Sequence, residues 1–173
     1  TTIEPPEKWN PSAGAYGCYL SHLDVITAAI EAGAERVLVF EDDATLAADF
    51  ATAVAEFFAW VPADWQICYL GGQLDLPLSF PPVPLGRGVR AITAANRTHA
   101  YAVQGSETLE KLAHALAISK FSRLPDHHHI DRALVHATRS AKMRVYAPTK
   151  WLAGQAAGVS DVSGDTVPAK DWQ

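Results

Sequence analysis

The chain has 173 residues, 49% hydrophobic and 19% charged, with a formal charge of −5. That is enough for one domain with a substantial core, and the acidic balance disfavours nucleic acid or an anionic membrane, which would call for a basic patch. No apolar run reaches the ~18–20 residues needed to span a bilayer, and residues 1–12 lack the basic and apolar regions of a signal peptide, so no transmembrane segment and a cytoplasmic location are expected.

A single domain over 1–173 is expected, opening with an irregular segment over 1–12. Leu20, Leu23, Ile26 and Ile30 repeat at helical spacing, and Gly33 is placed to end that helix. The run 36–40 reads as a core strand. Phe50, Val54, Phe57 and Val61 mark a second amphipathic helix, stopped by Pro62. A short apolar strand over 65–70 ends in Gly71-Gly72, which suits a turn or a close approach of backbone to ligand. Prolines 77, 81, 82 and 84, with Gly86 and Gly88, predict a long loop over 73–88, the kind that serves as a lid or as a plain connection. Two further strands, mutually antiparallel, are expected over 89–93 and 98–103. Leu109, Leu112 and Leu116 give a helix with Glu107 in its first turn. Asp126 is placed to cap a helix over 127–139, a strand comes next over 143–147, and the chain reads as irregular after Pro148 with a polar tail over 160–173. Strands alternating with helices define an α/β fold.

The stretch 36–43 carries the chemistry, because an apolar strand ends abruptly in Glu41, Asp42 and Asp43. Carboxylates are rarely buried unpaired, and ligands of open α/β sheets sit beyond the carboxyl ends of strands. Hard oxygen donors there suit Mg²⁺ or Mn²⁺ carrying a phosphorylated substrate; a solvated acidic turn is the alternative. If the extended geometry persists, Glu41 and Asp43 point to one side and Asp42 to the other. His127, His128, His129 and Asp131 form a second cluster, in which a helix would bring His127 and His128 onto the face of Asp131. No Cys or His at ligand spacing completes a zinc tetrahedron there. Cys18 and Cys68 read as buried free thiols. His22, beside Leu20 and Leu23, reads as a hydrogen-bonded packing residue, and Trp151 is the tryptophan best suited to stack on a sugar face.

Beyond these readings there is an ordered set of blocks: Tyr16-Gly17-Cys18-Tyr19-Leu20-Ser21-His22-Leu23, Glu41-Asp42-Asp43-Ala44, Tyr69-Leu70-Gly71-Gly72, Thr98-His99-Ala100-Tyr101, His129-Ile130-Asp131 and Gly154-Gln155 with Ser160-Asp161. In this order they resemble glycosyltransferase family 25, which includes lipooligosaccharide galactosyltransferases and the related collagen galactosyltransferases, over roughly residues 14–164. The resemblance implies a GT-A-like nucleotide-diphospho-sugar transferase fold, with a mixed, mostly parallel sheet flanked by helices. It further implies metal-dependent, inverting transfer of a hexose, galactose or glucose, from a nucleotide sugar such as a UDP-hexose to a saccharide or lipooligosaccharide acceptor, met at the inner face of the membrane. Asp43, with Glu41 or Asp42, would hold Mn²⁺ or Mg²⁺, and Glu41 or Asp42 could instead hold the ribose. Ser21 and His22 would lie near the donor with Gly71 and Gly72, Asp131 would be the catalytic base or a further metal ligand, and Gln155 and Asp161 would fold over the site or be ordinary loop polars.

Members of that family usually begin with a strand and a basic turn of the type Ile-Asn-Leu-x-Arg-x-x-x-Arg, and residues 1–9 hold no such segment. A second reading is therefore a non-catalytic binding module without the complete donor site. A third, a metal-dependent phosphohydrolase, ranks last, because Ala44-Thr45 follows the triplet where an aspartyl-phosphate enzyme needs a nucleophilic Asp-x-Asp followed by Thr or Val.

Overall fold

The computed structural model describes residues 4–5, 9, 11–74, 81–159 and 165–169. Helix α1 (Ala13–Glu31) starts where the Ser12 hydroxyl accepts from the Ala15 amide at 3.1 Å, one of the amides a helix start leaves unpaired. It ends at Gly33, whose φ of 66° suits glycine. There the amides of Gly33 and Ala34 donate to Ile30 O and Ala29 O, each at 2.9 Å, closing a Schellman motif. The buried stripe is Ala15, Tyr16, Tyr19, His22, Ile26 and Ala29, while Leu20, Leu23 and Ile30 are half-buried.

Six strands form the main sheet: β1 (Arg36–Phe40), β3 (Ile67–Gln73), β4 (Val83–Gly86), β5 (Val89–Ile92), β6 (Asn96–Gln104) and β7 (Val145–Pro148), in the order β1-β6-β3-β7-β5-β4. The expected α/β class holds, but the mostly parallel sheet does not: only β3 and β7 run parallel, and every other neighbouring pair is antiparallel. The reason is that β6 runs back between β1 and β3, and β4 and β5 form a hairpin. The strand over 36–40 is a sheet edge rather than a core strand, with Val39 its one buried residue.

Side chains alternate across the sheet. Ile67 and Tyr69 of β3 join Tyr101 and Val103 of β6 in one core, packed with α1, α3 (Ser106–Ser119) and α4 (Ile130–Ser140). Cys68, Leu70, Ala100 and Ala102 join the opposite core, with Phe57 of α2 (Phe50–Trp60) and Leu152 and Ala153. The Tyr19 hydroxyl, fully buried, donates to Leu116 O at 2.8 Å and ties α1 to α3. Cys18 and Cys68 are both free thiols, Cys68 buried as expected and Cys18 only half-buried.

Several sequence expectations give way. Part of the 73–88 loop is regular: β3 runs to Gln73 and β4 pairs with β5 around Arg87 and Gly88, whose φ values of 49° and 76° are those of a tight hairpin turn. Pro84 is tolerated because β4 is the other sheet edge, where a missing amide costs nothing; residues 75–80 lie outside the described residues. Strands β5 and β6 do not pair with each other. The helix over 127–139 is broken, since a 3₁₀ turn (Pro125–His128) precedes α4 and an extended His129 separates them. His128 is held away from α4 by stacking on Trp9, at 4.5 Å between ring centres, and by its 2.9 Å bond to Ser122 O. The shared helical face of His127, His128 and Asp131 is thereby lost. After Pro148 the chain is not irregular: β8 (Ala153–Gln155) pairs with β2 (Ala44–Leu46), and β9 (Gly158–Val159) with β10 (Thr166–Val167). Among the described residues no helix is long and apolar enough to cross a membrane.

Candidate functional site

A cleft of about 910 Å³ opens between the outer face of α1, the end of β1 and the chain over 155–159. Gly14, Gly17, Cys18, Ser21 and His22 line it from α1, and Glu41, Asp42 and Asp43 from the sheet side. A Cβ at Gly17 would meet nothing within 4 Å, so packing does not require this glycine, and its missing side chain widens the cleft.

His22 is buried, and both its ring nitrogens are engaged: Nδ1 lies 3.0 Å from the Tyr101 hydroxyl and Nε2 3.1 Å from Glu41 Oε1. The Thr98 hydroxyl donates to the same Glu41 oxygen. Burial pushes the Glu41 carboxyl up, but the hydrogen bonds from His22 and Thr98, with the nearby imidazoles of His22 and His99, outweigh it and hold the group below its usual value. Burial, with smaller contributions from Tyr69, Glu41 and Cys18, pushes the Tyr101 phenol well above its ordinary value, so it keeps its hydrogen. The network assigns the hydrogen of His22 to Nε2, facing Glu41, with Nδ1 accepting from Tyr101. His22 is thus both the hydrogen-bonded packing residue and a wall of the cleft.

Past Phe40 the chain does not stay extended. It turns, with the Ala44 amide donating to Glu41 O at 3.1 Å, so strand alternation does not orient the three carboxylates. Asp42 is exposed on this turn. Gln155 Nε2 donates to Asp43 Oδ2 at 2.8 Å, and the Ala156 amide to Asp43 O at 2.8 Å. Asp43 Oδ1 is buried without a hydrogen-bond partner. A buried carboxylate oxygen without a donor fits a hard cation such as Mn²⁺ or Mg²⁺, and Asp42 precedes it on the same turn.

The structure therefore brings Ser21, His22, Glu41, Asp42, Asp43 and Gln155 to one cleft. Gly71 and Gly72 do not line it. A Cβ on Gly71 would lie 2.5 Å from Ala153 O and 2.6 Å from the His99 ring, so this glycine admits protein rather than ligand; Gly72 is similarly close to Asn96 O, at 3.1 Å. Asp131 lines a second, polar cavity of about 450 Å³ with Gln73, Asn96, Arg97, Asp126, His129 and Arg132, and its Oδ1 accepts from the Arg132 amide at 2.8 Å. Trp151 lines neither cavity; the Arg90 guanidinium lies 4.6 Å from its ring centre. Asp161 lies outside the described residues.

Sequence reasoning gave no role to Thr98, Tyr101 or Cys18. Thr98 and Tyr101 stood in one of the blocks, but nothing in a strand pattern says that two of its residues reach a helix and a turn distant in sequence. The Cys18 thiol is pushed up to about 12, first by burial and then by the charges of Glu41, Asp131, Asp43 and Asp42. The field of four carboxylates thus converges on one side chain.

Fold and cleft together define an α/β protein with a carboxylate-bearing cleft beyond the end of a sheet strand. Residues 7–79 match the model of glycosyltransferase family 25, described as an LPS biosynthesis protein. That stretch contains the Gly-Cys-x-x-Ser-His and Glu-Asp-Asp-Ala blocks, and there the resemblance is borne out; the blocks from Thr98 onward lie beyond the match. No curated protein matches the chain significantly.

Proposed function

We propose that the protein is a metal-dependent glycosyltransferase that moves a hexose from a nucleotide sugar, a UDP-hexose, to a hydroxyl of a saccharide or lipooligosaccharide acceptor. The observation that carries this reading is the buried, unpartnered Oδ1 of Asp43 on the wall of a cleft formed largely by residues of the family match. Asp43 and Asp42 would hold Mn²⁺ or Mg²⁺, and the ion when bound supplies positive charge to the donor diphosphate as it leaves. Gln155 holds Asp43 in place through its amide. Gly17 leaves room for the donor along α1, while the bonded set of Tyr101, His22, Glu41 and Thr98 fixes the rear wall. Asp131, which lines the second, polar cavity, would take the proton of the acceptor hydroxyl, the base that an inverting transfer requires.

Calorimetry tests the reading. UDP should bind more tightly with Mn²⁺ than without it, and Asp43→Asn should remove that gain. If UDP, GDP and CMP all fail to bind in the presence of metal, the enzyme reading is overturned in favour of a non-catalytic module.

A further inference from the structure

Cys18 and His22 are four residues apart on α1 and share a helical face, and Glu41 approaches them from the turn after β1. One ligand atom from each, the thiol sulfur, a ring nitrogen and a carboxylate oxygen, lies within 4.8 Å of the other two. A tetrahedral zinc site with bonds of about 2.0–2.3 Å spaces its ligands roughly 3.5 Å apart. His22 Nε2 and Glu41 Oε1 are already 3.1 Å apart, and with the Cys18 sulfur within 4.8 Å of a ring nitrogen and a carboxylate oxygen, an inward shift of the sulfur would complete three corners. The fourth faces the cleft that Cys18, His22 and Glu41 line.

We infer that Cys18, His22 and Glu41 form a second metal site that takes a thiophilic divalent ion of the zinc class, distinct from the hard-cation position at Asp42 and Asp43. The donor set decides the class: a thiolate and an imidazole suit Zn²⁺ or Co²⁺ and are poor ligands for Mg²⁺. The hydrogen-bond partners already present permit the change. His22 must present a bare Nε2, so its hydrogen moves to Nδ1 and is donated to the Tyr101 oxygen, which reverses the direction of the existing 3.0 Å bond without breaking it. Glu41 exchanges the His22 donor for the ion and retains the Thr98 donor. Cys18 gives up its thiol proton to solvent as the sulfur–metal bond forms, so one proton is released per ion. The surrounding carboxylates, which disfavour a lone thiolate, favour a dication at the same point.

The inference does not depend on the transfer reading, since its readout is a spectrum. The reduced 173-residue chain should be titrated with Co²⁺. A near-ultraviolet thiolate-to-cobalt charge-transfer band should grow and saturate at one thiolate-bound ion per chain, an ion at Asp42 and Asp43 adding no such band, and Zn²⁺ should displace it whereas excess Mg²⁺ should not. Cys18→Ser and Cys18→Ala, each checked for native circular dichroism, should lose the band, and Cys68→Ser and Asp43→Asn should keep it. The site is refuted if no band appears at saturating Co²⁺, or if the band survives in a folded Cys18 variant. Loss of the band in a folded Cys68→Ser chain would equally refute it, because the ligand thiol would then be elsewhere.

Discussion

Replacing Thr98 by valine keeps the side-chain shape and deletes one hydroxyl, the donor to Glu41 Oε1. Thr98 is 3% exposed, so water cannot readily take its place, and that oxygen keeps only the His22 donor. Hydrogen bonds to charged groups contribute about 1.5–3 kcal/mol. The Glu41 side chain retains 22% exposure, which favours the lower part of that range, about 2 kcal/mol. For a domain of this length that corresponds to a fall in Tm of about 4–8 °C. The loss should depend on pH in a defined sense. Glu41 is held below its reference value of 4.5, burial opposing and the His22 and Thr98 bonds prevailing. A lowered carboxyl stabilises the fold above the unfolded pKa, and the contribution is lost as pH falls through the folded one. The gap between parent and Thr98→Val should therefore be full at neutral pH and shrink as acid protonates Glu41 in both proteins. Urea unfolding at neutral and acidic pH measures it, and a gap that stays constant across the range would refute the reasoning.

Gly33→Ala should destabilise the fold by about 1–2 kcal/mol in the same assay, purely through the left-handed backbone, because the added Cβ meets nothing within 4 Å; an unchanged midpoint would mean that the cap does not form. Gly17→Ala should stabilise α1 by up to about 1 kcal/mol, whereas Gly17→Trp should leave Tm near that of the parent and abolish UDP binding in calorimetry; full retention of binding would place the nucleotide elsewhere. Asp131→Asn should preserve metal-dependent UDP binding and lower donor hydrolysis by about 10²–10⁴-fold. Joint loss of nucleotide and metal binding would instead make Asp131 a metal ligand.

Local signals were legible where one residue decides the matter. Gly33 ended α1, Pro62 followed α2, and Leu109, Leu112 and Leu116 formed the buried stripe of α3. The acidic end of β1 pointed to the cleft, since carboxylates after an apolar run read directly. Strand direction was not legible: nothing in 96–104 says that β6 inserts between β1 and β3 rather than pairing with β5, because pairing is a long-range choice. The break at His129 escaped for a similar reason. Trp9, far away in sequence, captures the His128 ring and overrides a helical run that local propensity would continue. Gly71-Gly72 suited a turn or a close approach of backbone to ligand, and the close approach at Gly71 is to β8 at Ala153, a strand the sequence did not signal.

Among the described residues, all six strands of the main sheet and the four α-helices are complete by Pro148. The residues after Pro148 contribute to the cleft: β8 brings Gln155 to Asp43 across 112 residues of sequence, and residues 156–159 with Val167 form a wall. Closing a free loop of that length would cost about 4 kcal/mol in chain entropy. Once β7 has docked, however, only the short stretch from Pro148 to Ala153 remains to be ordered before β8 meets β2. A chain emerging from the ribosome N-terminus first can thus complete its scaffold before its cleft, and Asp43 gains its Gln155 and Ala156 partners only after β8 has been made.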